Sequence, residues 1–479
     1  MKTKAADAVP RGLRQVLRDT PRQLTLLTTG LGVLCLLLGL VYACALLRDS
    51  ESIGGLQTRT TEVSATSDLY YELNDMDAQA ANALLVGYHP ADPTLVPASV
   101  NAQSSTTAYQ HDRSAADADL ARIATNPALT TKAEKLLDDL GSYESLIAQA
   151  LYMDQGAQNQ NPASPPTAAL SAYTDASRLL HTTLLPESLQ ITDTDSAAVD
   201  TSYAGEHSTA ALLGYLILGL ALLTAAGLYL GNRYHARRFR RRVSYLVPGI
   251  AVVLALGAFG LTTQLNEASH LHLAKQEAYD SVNALIRAKA VSDDANADES
   301  RWLLEGRDPA LQASFFQKAE AVASAPGTYY SALSDAISSE RLDAAANTVD
   351  NVKIGGYLGT ELHNITFAGE ARAASETAVA FNAYIQDDAV IRADVAKGDL
   401  AGAVALDIGT APGQSNHDFN LYNVALGTVI QINESAFAAG ISAGHADADN
   451  AAWAAGIISE LLLLALITRT GYLRLREYR

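Results

Sequence analysis

Three groups of residues in this chain have types and spacings that could do chemistry. Glu460 lies in GIISELLLLALI (456–467), an apolar run with no other charge. An isolated carboxyl there is costly and marks a proton relay, a contact for a partner, or a neutral hydrogen-bonding group that glues helices together. The last is the simpler expectation, with Ser459 or a neighbouring helix as the bonding partner. Arg301 and Trp302 stand together in DESRWLLEG. An arginine fork can grip a carboxylate, and the indole offers a flat face beside it, so the pair is a candidate site for an acidic ligand or a docked partner. Helical spacing also sets Arg301 three residues after Asp298 and four before Glu305, which makes a surface ion-pair network the simpler reading. The third group is GNRYHARRFRRR, with Arg233, Arg237, Arg238, Arg240, Arg241 and Arg242 in twelve residues of a chain whose net charge is −18. Such a block neutralises phosphates of nucleic acid or lipid, or anchors a membrane topology.

Other candidates carry less. His270 and His272 form an H-x-H, but residues two apart on a helix point about 200° apart, so they do not share a metal. HADADN (445–450) is acidic without the convergent oxygens that calcium needs. There is no Walker loop, G-x-S-x-G, H-E-x-x-H or paired-cysteine motif. The expectation is therefore no enzyme, no metal and no cofactor. Both cysteines, Cys35 and Cys44, fall in one apolar stretch, so packed cores and not disulfides must hold the rest.

The arginine block is positioned by its flanks. Residues 209–230 and 246–265 contain no charge, and with 23–47 and 451–468 they make four stretches long enough to cross a bilayer as helices. The first is longer than a signal-peptide core and reads as a retained anchor. Between the spans, residues 48–208 hold 7 Lys and Arg against 22 Asp and Glu, and residues 266–450 hold 11 against 26. The remaining segments carry 16 basic residues against 4 acidic ones. Cytoplasmic loops concentrate Lys and Arg, so the sequence predicts a multi-pass membrane protein with both termini inside. The basic N-terminus is 1–22, the cytoplasmic arginine-rich loop 231–245 and the basic tail 469–479. The arginines then anchor the topology and touch anionic lipid, not nucleic acid.

The two acidic segments read as outer helical domains, 48–208 and 266–450. Leu129, Ala133, Leu136, Leu140, Tyr143, Ile147 and Leu151 recur at steps of three and four, as do Phe419, Tyr422, Leu426, Ile430, Phe437 and Ile441. Asn433 falls on the second face, where a polar residue fixes register. No proline interrupts Phe419 to Thr468, so the last descending helix is expected to run unbroken into the fourth span. DMDAQAANALLVGYHP (75–90) aligns without gaps with DANADESRWLLEGRDP (294–309), with identities at Asp75/Asp294, Ala78/Ala297, Leu84/Leu303, Leu85/Leu304, Gly87/Gly306 and Pro90/Pro309. Each copy ends in a glycine and proline stop. The expected fold is all-α: four transmembrane helices and two helical bundles, related by internal tandem duplication.

A pair of membrane helices bracketing an outer bundle resembles the ligand-binding halves of chemoreceptors and histidine kinases. Four spans, two helical outer domains, the short arginine-rich hairpin and segments such as DANADESRWLL and HNITFAGEARAA resemble the GlnX-type membrane proteins of actinobacteria. That resemblance implies an amino-acid-sensing relay between a solute-binding lipoprotein outside and a PknG-type serine/threonine kinase inside, and it is compatible with a homo-oligomer. It transfers no ligand-contact residue. A transporter or channel component using Glu460, and a passive envelope scaffold, are the alternatives.

Overall fold

The computed structural model describes residues 20–87, 102–157, 163–239, 246–339, 354–447 and 450–476. All extended regular structure among these residues is helical; the sole β-type pairing among them is one antiparallel bridge between Ser324 and Gly355. The helices are α1 (Thr20–Val86), α2 (Ala102–Ile123), α3 (Thr130–Ala157), α4 (Thr167–Leu179), α5 (Leu185–Phe239), α6 (Leu246–His272), α7 (Asp280–Leu304) and α8 (Pro309–Val322). They are followed by α9 (Gly327–Ser338), α10 (Gly356–His363), α11 (Glu370–Lys397), α12 (Leu400–Asp407), α13 (Ser415–Asp447) and α14 (Asn450–Arg476). Short π-helical stretches, Leu180–Leu184 and Leu273–Tyr279, join α4 to α5 and α6 to α7. Residues 448 and 449, between α13 and α14, lie outside the described residues, and so does the expected continuity of that helix.

The chain divides into two compact units. One takes Met1–Gln57, Thr201–Leu273 and Ala439–Arg479. Its apolar core is made by Cys35, Leu38 and Tyr42 from α1, Ile217 and Ala221 from α5, Val253 and Leu256 from α6, and Leu463 and Ile467 from α14. Small residues let these helices approach: a Cβ on Gly257 would fall 2.4 Å from that of Ala221. Large apolar side chains such as Leu36, Leu212, Leu223 and Leu461 stand on its exterior, as they do where the solvent is lipid. Five helices among the described residues contain stretches long and apolar enough to cross a membrane, at Arg22–Asp49, Thr167–Arg237, Leu246–Leu304, Ser415–Gly444 and Ala452–Leu473. The chain is a membrane protein.

The other unit, Thr58–Asp200 with Ala274–Ala438, is a helical bundle. The predicted face of α3 is buried from Ala133 to Ile147, although Ala150 and Asp154 extend it in place of Leu151. On α13 the buried face is Phe419, Tyr422, Leu426 and Val429, and Asn433 joins it by donating to the Val429 carbonyl at 3.2 Å and to Glu361 at 3.4 Å. At the ends of α1 and α7 the two expected stops have the same backbone form: Gly87 has φ 76° and Gly306 φ 74°. This left-handed region is open to glycine at little cost. Pro90, the other half of the first stop, lies outside the described residues. After the second stop, Asp308 caps α8 by accepting from the Ala310 amide at 2.8 Å, with Pro309 in the first turn.

Gly356 is also left-handed, at φ 79°, but a Cβ there would sit 2.6 Å from the Ala321 carbonyl oxygen and 2.7 Å from that of Val322, whereas nothing lies within 4 Å of one on Gly306. Gly306→Ala should therefore cost only backbone strain, about 1 kcal/mol. Gly356→Ala should lower the thermal unfolding midpoint clearly more; equal midpoints would mean that α8 and α10 do not approach this closely.

Candidate functional site

The interior of the bundle is built around α7. Every residue from Ser292 to Leu304 is buried, although Ser292, Asp293, Asp294, Asn296, Asp298, Glu299, Ser300 and Arg301 are polar or charged. Burying charges on all faces of a helix is tolerated only if each finds a partner, so the neighbours of α7 supply cations and hydroxyls.

Arg301 is the centre of the first network. It is 3 % exposed, so the expected surface ion-pair network is corrected: the pairing with Asp298 is present, but in the interior. Its fork also reaches Asp294 at 3.4 Å, one turn earlier, and Asp77 of α1 at 3.6 Å, and it donates to the Ser177 hydroxyl at 3.0 Å. His181, in the π-helical turn after α4, lies 2.8 Å from Arg301 and 3.1 Å from Asp294 through Nε2. From α8, Lys318 spans two carboxylates, 2.7 Å from Asp294 and 2.5 Å from Asp298. Burial works against the charge on Arg301, but Asp77 and Asp298 outweigh it and hold the guanidinium firmly protonated. Burial likewise opposes ionisation of Asp294, and the hydrogen bond from His181 and the charge of Lys318 reverse this, keeping its carboxyl below the usual range.

Trp302 does face an arginine, but not Arg301. The Arg392 guanidinium of α11 lies 4.4 Å from the Trp302 ring centre and 5.0 Å from each of the Phe315 and Phe316 rings. The indole face proposed for a ligand is thus covered by the chain itself. Arg392 also donates to Asp388 at 2.8 Å. Around this pair, Glu299 accepts from Ser415 at 2.9 Å, and the Ser300 hydroxyl lies 2.9 Å from Asn82 of α1 and 3.3 Å from Asp407 of α12. Carboxyls here outnumber cations. Burial first, and then mutual repulsion, pushes Glu299 well above the carboxylate range, and burial pushes Asp407 up to about 7. Toward the start of α7, Lys289 covers the Tyr71 ring at 3.3 Å, and burial with the charges of Asp112 and Asp75 pushes Glu72 up to about 8.

The other sequence candidates lie elsewhere. Glu460 belongs to the apolar unit, and neither of its shielded carboxyl oxygens has a hydrogen-bond partner among the described residues, so the expected bond to Ser459 or a neighbouring helix is absent there. Arg233 and Arg237 lie on the last turns of α5 and, with Leu230 and Tyr234, line a depression of about 370 Å³. The side chain of Arg238 and residues Arg240, Arg241 and Arg242 lie outside the described residues. Sequence reasoning missed Asp77, His181, Lys318, Asp388, Arg392 and Asp407. The one signal that pointed their way was the acidic repeat, whose Asp75 and Asp294 both lie in these networks.

Arg301→Gln should destabilise the bundle by about 3–5 kcal/mol, because it removes the cation facing buried Asp77 and leaves Lys318 to serve both Asp294 and Asp298, and adding Asp298→Asn should recover part of the loss. An unchanged unfolding midpoint would show that Arg301 does not hold the network. The raised carboxyls set a second test. They keep protons in the folded state that the unfolded chain releases near pH 4, so their stabilising contribution declines as pH rises from about 4 through about 7. Asp407→Asn should raise the unfolding midpoint at pH 8 and leave it nearly unchanged at pH 5; equal shifts at both pH values would contradict the assignment.

The family model of the actinobacterial sensor domain matches residues 52–204, which cover the bundle part of α1, then α2 to α4 and the start of α5. Asp77, Ser177 and His181 lie in the matched stretch; α7 lies beyond it. Comparison with curated proteins and with solved structures gives no match. The chain is a sensor-type membrane protein, similar over this region to the sensor domains of actinobacteria.

Proposed function

We propose that the chain is a non-enzymatic transmembrane signal transducer, reporting small-molecule status outside the cell to a protein inside it. The observation that carries this reading is the course of two helices through the sensor-matched residues. α1 holds the apolar stretch Arg22–Asp49 and continues to Val86, and α5 starts within the match at Leu185 and continues to Phe239. A rearrangement among the matched helices therefore acts on helices that continue into segments of membrane-spanning length. A ligand can bias such a system only by its differential affinity for two arrangements.

Four spans are the better count. The fifth stretch of suitable composition, Ser415–Gly444, already commits Phe419, Tyr422, Leu426 and Val429 to the bundle core. With four spans, the excess of Lys and Arg in 1–22, 231–245 and 469–479 puts these segments in the cytoplasm and the bundle outside. The common backbone form at Gly87 and Gly306 favours a duplicated origin for the two halves. Following the resemblance to GlnX-type proteins, the outer partner is a solute-binding lipoprotein and the inner one a serine/threonine kinase that reads the arginine-rich loop and tails.

The test is affinity purification of the full chain after brief crosslinking, with and without added amino acids. The relay expects a solute-binding lipoprotein and a cytoplasmic kinase to be recovered in amounts that change with the amino acid, and vesicles holding the purified chain alone to show no flux. Recovery of neither protein, together with solute or proton flux above empty vesicles, would replace the relay with transport.

A further inference from the structure

Glu460 sits at the floor of a groove on the exterior of the apolar unit. The groove encloses about 210 Å³ between α1 and α14, with Leu256 of α6 at its base and Trp453 at one end. Its rim is Leu36 and Leu40 on one side and Ile457 and Leu461 on the other, all more than 50 % exposed. Its floor is low because small residues form it. Gly39 and Ala43 are spaced four apart and share one face of α1, and the Glu460 carboxyl packs on Gly39 so closely that a Cβ there would lie 3.0 Å from Cδ. Deeper in, Gly456 receives the Tyr42 ring, whose hydroxyl donates to the Ala452 carbonyl at 3.1 Å and so is already engaged.

The chemistry at the floor is incomplete. Both Glu460 oxygens are shielded and have no hydrogen-bond partner among the described residues. No Lys, Arg or His occurs in 23–47, 209–230, 246–265 or 451–468, so none of these stretches can bring a cation to it. Lipid tails have no donors, and even a neutral carboxyl leaves one donor and its acceptors unmet in hydrocarbon. A second copy of the chain presents the same acid and the same lack of bases. We infer that this groove is the seat for a transmembrane helix of a different protein, one carrying a basic side chain at the depth of Glu460. Gly39 and Ala43 let its backbone come close, the four rim side chains pack along it, and the Glu460 side chain turns from Gly39 toward the groove so that its carboxylate meets the ammonium or guanidinium. This inference does not depend on the relay reading, since any partner with such a helix satisfies it.

The test uses the full chain in phosphatidylcholine vesicles with synthetic Leu-Ala transmembrane peptides bearing a central Lys, Leu or Asp, and a photo-crosslinking residue at Ile457. A crosslinker at Leu222, an exposed position on α5, serves as the control. The Lys peptide should crosslink at Ile457 about tenfold more strongly than the Leu peptide and show no such preference at Leu222. Glu460→Gln should abolish most of that preference, and Glu460→Lys should transfer it to the Asp peptide, which also shows that the variant is folded. Equal crosslinking of the Lys and Leu peptides, a preference that survives Glu460→Gln, or dominant crosslinking of the chain to itself would each overturn the inference.

Discussion

The bundle depends on one constraint: α7 carries carboxylates on all its faces and is buried along its second half. An ionised carboxylate in the interior is stable only with a cation or several donors beside it, so the packing of the neighbours is dictated by where the charges of α7 point. Lys318 ties α8 to Asp298, Arg392 of α11 lies over the Trp302 ring of α7, and Asp77 brings α1 against Arg301. The apolar cores fill the space that remains. Pairs of this kind add little net stability relative to an apolar filling, but they are unforgiving of register. Sliding α7 by one residue would turn Arg301 away from Asp77 and strand several charges at once.

This explains which features were legible in the sequence. Membrane-length stretches and single-faced helices can be read because each residue reports on its own surroundings: Leu136, Leu140 and Tyr143 need water excluded and nothing more specific. The glycine stops were legible for a similarly local reason, since Gly87 and Gly306 adopt a backbone form that few other residues accept. The charged networks were not. DDANADESR reads as a solvated face, because nothing within the run says that Asp77, Lys318 and Arg392 will converge on it. Local spacing identified one partner of Arg301, Asp298, and missed Asp77, 224 positions away and on another helix. Trp302 was read as an open surface for the same reason: the guanidinium that covers it comes from Arg392.

One carboxyl in each unit shows opposite surroundings. In the bundle, Asp294 is met by His181, Arg301 and Lys318 within the same chain. In the apolar unit, Glu460 has no such company and no cation in the neighbouring apolar stretches. Among the described residues, then, the Asp294 carboxylate is met by cations of its own chain and the Glu460 carboxyl is not.

The surplus of acid over base in the bundle has a further consequence. Asp294 and Asp298 are one helical turn apart, and Lys318 already touches both. A displacement of α8 along α7 would exchange one carboxylate for the next without stranding the ammonium. Close-packed apolar side chains resist such sliding, since each knob must leave its hole before it finds another. A core with more carboxylates than cations offers alternative pairings at one-turn spacing, and discrete pairings of similar energy are what allow packed helices to hold two arrangements. The carboxyls of Glu299 and Asp407, raised by burial first and then by neighbouring acids, belong to this surplus, which fits a bundle that shifts when something binds it better than one whose only task is to stay folded.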